Sequence, residues 1–184
     1  MPPQETPNLA SPATATNAFT SRDVAEILRE QEWLAGDASP AQLAWCERAA
    51  ALLGSHAADR RSLADLLRLV FHYDARELLS KVESHAVLSR YAARDVLRHL
   101  ALLLLDGAPL TSERFKEVIA ALKESLGIGS REIFHPIRLA LTGHAGEGVL
   151  DRVILLLDEA AALSFAVPVK SARERILEFC AALD

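Results

Sequence analysis

The sequence predicts an all-α fold, a compact multi-helix bundle of about eight to ten helices. Three observations lead there. Leu and Ala, both strong helix formers, dominate a chain that is 51% hydrophobic and only 5% aromatic. Gly and Pro total 16 of 184 residues, and from Ser21 onward they stand where helices start or stop. No stretch alternates apolar and polar residues between turn signals, as a half-buried strand would. The length fits one domain with an appendage.

Residues 1–20 carry four of the eight prolines and no basic residue, so they read as a disordered leader before a helical domain over 21–184. Ser39-Pro40-Ala41-Gln42 places an N-cap serine, a proline at the first helical position and a glutamine at the third, which is a capping box. Gly54 stops that helix. Asp74-Ala75-Arg76-Glu77 is a second box-like start. A leucine-rich helix from about Ser84 ends at Gly107 and Pro109. Thr111 or Ser112 opens a helix that Gly127 closes. Pro136 lacks the N–H a helix interior needs, so 130–142 is expected to divide into a short turn and a new helix beginning at Pro136, closed by Gly143. A loop from His144 to Gly148 leads into a helix from about Val149, and a last helix runs from about Ser171 to Leu183. The periodicity buries Ile133, Leu139, Leu141, Ile154 and Leu157.

Net charge is −5, and residues 58–105 carry +2 between segments of −3 each. An acidic total excludes a protein that coats nucleic acid through charge alone, while a local basic face stays open. Arg90, Arg94 and Arg98 recur every four residues. A phosphate-tracking stripe is one reading, but Asp95 beside it and Tyr91 as its one interleaved aromatic favour a solvated helix face. Cys46 and Cys180 form no CxxC pair, so neither a disulfide framework nor a zinc site is expected. Six histidines fall at no metal-ligand spacing. HExxH and GxSxG are absent, and Thr142 to Gly148 lacks the Lys-Ser or Lys-Thr of a phosphate loop. The chain is therefore expected to hold no cofactor, metal or catalytic residue. With no secretory signal, and with a longest apolar run of Leu100 to Leu105, no membrane association is expected, and the cytoplasm is the expected compartment.

One segment is distinctive beyond composition, Arg131-Glu132-Ile133-Phe134-His135-Pro136-Ile137-Arg138-Leu139-Ala140-Leu141-Thr142-Gly143. It resembles the R-x-L-F-x-P-L-R-x-A-L-T-G signature in the C-terminal, all-helical anticodon-binding region of bacterial glutamyl-tRNA synthetases. Leu110 to Phe115 upstream and Val149 to Asp158 downstream are similar to the helices flanking that signature. Arg61-Ser62-Leu63-Ala64-Asp65-Leu66 is more loosely similar to the family's k-T-L-x-E-L turn. The resemblance covers about residues 22–165 and is densest over 110–158. The catalytic signatures H-I-G-H and K-M-S-K-S are absent.

The resemblance implies a free-standing, non-catalytic module that binds tRNA or another structured RNA. The candidate RNA-binding residues are Arg60, Arg61, Arg131, Arg138, His144, Glu147 and Leu150, and Arg138 and the start of the helix at Val149 are expected to border one groove with Arg60 and Arg61. Two positions depart from the family pattern. Glu147 replaces a threonine able to donate to a base, and the place of a discriminating arginine falls on Asp59, one position before Arg60. Glu147 is further expected to cap the helix from Val149 and hold the anion position itself. Two alternatives accompany the RNA reading: a protein-interaction module on the same helical cage, and the tRNA-binding part of a split synthetase whose catalytic domain is a partner chain. Arg138 separates the first two. Free to meet phosphate, it supports RNA; locked in an internal salt bridge, it gives this surface to the interaction module.

Overall fold

The computed structural model describes residues 19–184, and every regular element in that range is helical. In order these are α1 (Ser21–Glu30), α2 (Pro40–Leu53), a 3-10 turn (Gly54–His56), α3 (Arg60–Phe71), α4 (Ala75–Leu79), α5 (Val82–Leu88), α6 (Ala93–Leu103), α7 (Ser112–Leu126), α8 (Ser130–Thr142), α9 (Val149–Ala161) and α10 (Ala172–Leu183). The leader reading falls on residues that, up to 18, lie outside those described. Thr20 already belongs to the fold, because its hydroxyl accepts from Asp23 N and caps α1.

Capping chemistry sets most boundaries. Ser39 and Gln42 close a reciprocal box at the start of α2, a device worth about 1 kcal/mol. Asp74, Thr111 and Ser171 accept from the first backbone N–H groups of α4, α7 and α10. Gly127 and Gly143 end α7 and α8 in the left-handed conformation. At Gly143, with φ at +86°, a Cβ would also meet Leu78 Cδ2 at 2.5 Å. Only glycine combines that backbone with that approach.

Two expected boundaries are corrected. α8 runs unbroken through Pro136, although the proline removes the N–H that would reach the Glu132 carbonyl, a loss of about 3 kcal/mol in an isolated helix. Tertiary burial outweighs it. α8 is the central helix, packed against α5, α6, α7, α9 and α10, and Ile133, Pro136, Ile137, Leu139, Ala140 and Leu141 are all buried. The expected helix from Ser84 to Gly107 is instead two, α5 and α6, separated at Ala92, which takes a left-handed φ of +61°. The reason lies in phase. Ser84, Val87 and Leu88 are the buried residues of α5, and Ala93, Val96, Leu97 and Leu100 those of α6. At about 100° per residue these two sets fall on opposite sides of a continuous helix. The break turns both faces inward, and it dissolves the Arg90–Arg94–Arg98 stripe.

The core is continuous from α1 to α10 and includes Ile133, Leu139, Leu141, Ile154 and Leu157, all fully buried. Trp33 stacks on Phe71, and Trp45 meets Phe71 and Phe165 edge-on. Trp45 also donates its indole N–H to the Leu156 carbonyl at 3.2 Å, which fixes α2 against α9. A charged residue joins this interior: Arg175 is fully buried. Its guanidinium donates to the carbonyls of Leu69 at 2.7 Å, Val70 at 2.5 Å, Leu141 at 2.9 Å and Lys170 at 3.0 Å. Tyr73 donates to the Ala140 carbonyl at 2.5 Å and lies under the Arg175 cation. Together these side chains satisfy the carbonyls that the ends of α3 and α8 leave without helical partners.

Candidate nucleic-acid interface

The signature segment places Arg138 in the last turns of α8, facing the loop that enters α9. Its Nε donates to Asp151 Oδ1 at 2.8 Å and its Nη2 to Asp151 Oδ2 at 2.9 Å. Nη1 donates to the Gly146 carbonyl at 3.0 Å. The guanidinium also lies over the Phe134 ring, 4.9 Å from its centroid. This is a two-pronged, charge-assisted pair, the strongest geometry an arginine and a carboxylate adopt. Its members are 13% and 25% exposed, so water competes weakly with it. Arg138 holds α8, the loop and α9 together, and the internal salt bridge that separates the two readings of this surface is present.

The neighbouring candidates follow the same pattern. Leu150 is buried and lies beside Gly146, where an added Cβ would meet its Cδ1 at 3.9 Å. His144 is exposed and lies 3.6 Å from Glu83, whose other oxygen accepts from Ala145 N at 2.9 Å. Glu147 is exposed but does not cap α9, contrary to expectation: the N-cap is Gly148, and no side chain accepts there. Leu150 N bonds the Glu147 carbonyl and Asp151 N the Gly148 carbonyl, both at 3.1 Å. The first turn thus satisfies its own donors, leaving little for a carboxylate to accept.

Arg60 and Arg61 begin α3. Arg60 is drawn back to α1 by Glu30 at 2.7 Å and Glu26 at 3.6 Å. Asp59 caps α3 by accepting from the Ser62 backbone N–H and hydroxyl, and these hydrogen bonds hold its carboxyl below the usual range. Arg61 is exposed and makes no ion pair among the described residues. Arg131 opens onto a different place, a cavity of about 320 Å³ lined with Arg90, Tyr91 and His135. The structure therefore joins Arg138 to the 144–150 loop, ties Arg60 to α1 and sends Arg131 to the opening beside Arg90.

Sequence reasoning missed a second recess, about 680 Å³, between α7 and α9. Phe115, Ile119, Phe134 and Leu155 line it, with Lys116, Lys123 and Arg152 at its rim. Lys116, Ile119, Ala120 and Lys123 recur at helical spacing, which would have marked one mixed basic and apolar face of α7. Among the described residues no group of three or more His, Cys, Asp or Glu is placed to hold a metal. No helix there is long and apolar enough to cross a membrane.

A family model described as an anticodon-binding domain matches residues 22–163. The chain is similar to a glutamate–tRNA ligase of Carboxydothermus hydrogenoformans, 32% identical over 87 residues, which is 47% of this chain and 18% of that protein. It is also similar to glutamate–tRNA ligase 2 of Syntrophus aciditrophicus, 32% identical over 77 residues, 42% of this chain and 16% of that one. The chain thus spans less than a fifth of the length of these relatives. No solved structure matches.

Proposed function

The chain belongs to the anticodon-binding domain family, and on that premise we propose that it is a non-catalytic RNA-binding module that takes tRNA or a similar stem-loop. The observation that carries this reading is the family match across residues 22–163, which includes the α8–loop–α9 segment. Unpaired bases of a stem-loop are splayed out and bound by packing and edge hydrogen bonds, while arginines hold phosphates. The experiment is an electrophoretic mobility shift with total tRNA at two salt concentrations. A shift that weakens with salt in proportion to the phosphates neutralised supports the reading; no shift at either concentration overturns it. On the same reading, purified protein neither binds ATP nor catalyses glutamate-dependent pyrophosphate exchange, and exchange above background without a second protein would refute the non-catalytic part. Exchange that appears only with a catalytic-domain partner would favour the split-synthetase alternative.

A second reading is favoured by one observation, the Arg138–Asp151 pair. With its cation neutralised internally and Glu147 exposed beside it, the Arg138 surface suits a protein partner better than a phosphate. At that surface the interaction-module reading takes the place of the RNA reading. Any RNA contact then lies on another face.

A further inference from the structure

The break between α5 and α6 puts Arg90 and Tyr91 at the mouth of the 320 Å³ cavity that Arg131 and His135 also line. Tyr91 is 85% exposed, although a tyrosine ring ordinarily finds cover on a folded surface. Neither Arg90 nor Arg131 pairs with a carboxylate among the described residues. Arg90 instead points its Nη1 to His135 Nδ1 at 2.6 Å. Burial, together with the charges of Arg90, Arg131 and Arg138, pushes the His135 pKa down. The ring is therefore neutral at neutral pH, able to accept from Arg90 at Nδ1 and to donate from Nε2. Ala92, next to Tyr91, takes a left-handed conformation that is unusual outside glycine and asparagine.

We propose that this cavity binds one unpaired nucleotide of an RNA loop, with the base stacked on Tyr91 and the phosphate held between Arg90 and Arg131. The chemistry is complementary part by part. An exposed aromatic face takes any base, and two arginines free of counter-ions take a phosphate with charge-assisted hydrogen bonds. A neutral imidazole Nε2–H adds a donor without a competing charge. Glu132 also lines the cavity, but its carboxylate is turned back toward Gly129, where an added Cβ would meet Oε2 at 2.7 Å. The site is separate from the locked Arg138 surface, so it supplies the other face that the RNA reading requires. The inference rests on that reading.

The test uses the full chain in mobility shifts with total tRNA across a salt series. Tyr91→Ala should weaken binding about fivefold or more, and Tyr91→Phe should restore it, because stacking needs the ring and not the hydroxyl. Arg131→Gln should weaken binding and lower the magnitude of the log–log salt slope by about 0.7, the share of one single-strand phosphate. Arg48→Gln, which removes a cation paired with Glu159 elsewhere, should leave binding unchanged. If the wild type binds and the Tyr91 and Arg131 variants bind equally well, the site is wrong and the RNA reading stands. If Arg48→Gln weakens binding as much as Arg131→Gln, diffuse charge explains the affinity and the site is again wrong. If the wild type shows no shift, the RNA reading falls and takes the site with it.

Discussion

Replacing Arg175 by methionine tests whether a buried cation holds α10 to the ends of α3 and α8. The substitution keeps most of the side-chain volume and removes donors that reach four carbonyls, those of Leu69, Val70, Leu141 and Lys170. Hydrogen bonds to a charged group contribute about 1.5–3 kcal/mol each, and against them stands the cost of taking the guanidinium out of water, several kcal/mol. Burial indeed lowers the Arg175 pKa to about 10. What decides the outcome is that the carbonyls stay buried after the cation has gone: stranded acceptors cost about 1–3 kcal/mol each, for a net loss of about 3–5 kcal/mol once the spared desolvation of the guanidinium is subtracted. For a domain of this size the melting temperature should fall by roughly 6–20 °C, taking about 2–4 °C per kcal/mol. Circular dichroism melts at 222 nm and urea titrations with an unchanged m-value would show it. Arg175→Lys should recover less than half of the loss, since one ammonium cannot span carbonyls at the ends of both α3 and α8. A methionine variant melting within about 2 °C of the wild type would refute the argument, because it would mean the carbonyls find water or other partners freely.

Gly143→Ala combines a left-handed backbone with a Cβ 2.5 Å from Leu78 and should lower stability by about 1–3 kcal/mol, read as a shift in urea midpoint. Arg138→Ala, which the sequence alone expects to weaken RNA binding, should instead lower stability by about 1–3 kcal/mol, because it strands the Asp151 carboxylate; RNA affinity measured on folded protein should be unchanged. The carboxyls of Asp23, Asp59, Asp74 and Asp106 are all held below their ordinary 3.8, first by backbone hydrogen bonds. Their contribution is thus complete above about pH 4 and lost as pH falls through the lowered values, so the urea midpoint should drop in acid, and Asp59→Asn should flatten that limb.

Residues in the sequence determined the helical class, the capping boxes, the glycine stops and the buried apolar set, because each depends on chemistry within a few positions: a hydroxyl three residues before an N–H, a missing Cβ, a 3.6-residue period. The signature over 131–143 likewise marked the family, since its pattern of residues is local. Less visible was the phase slip between Val87-Leu88 and Val96-Leu97. It was present in the sequence, but with no glycine or proline to punctuate it, only the core facing both segments turned it into a break at Ala92. Pro136 was misleading for the complementary reason, because a local rule forbade the helix and the packing of α8 against five other helices overrode it. The fate of the arginines was not local at all. Arg138 found Asp151 thirteen residues on, Arg60 found Glu30 on another helix, and Arg175 found carbonyls more than a hundred residues away. A long, charged side chain takes whichever partner the folded backbone brings within about 3 Å, so the tertiary structure decided which cations became internal ties and which, like Arg90 and Arg131, have no carboxylate partner among the described residues.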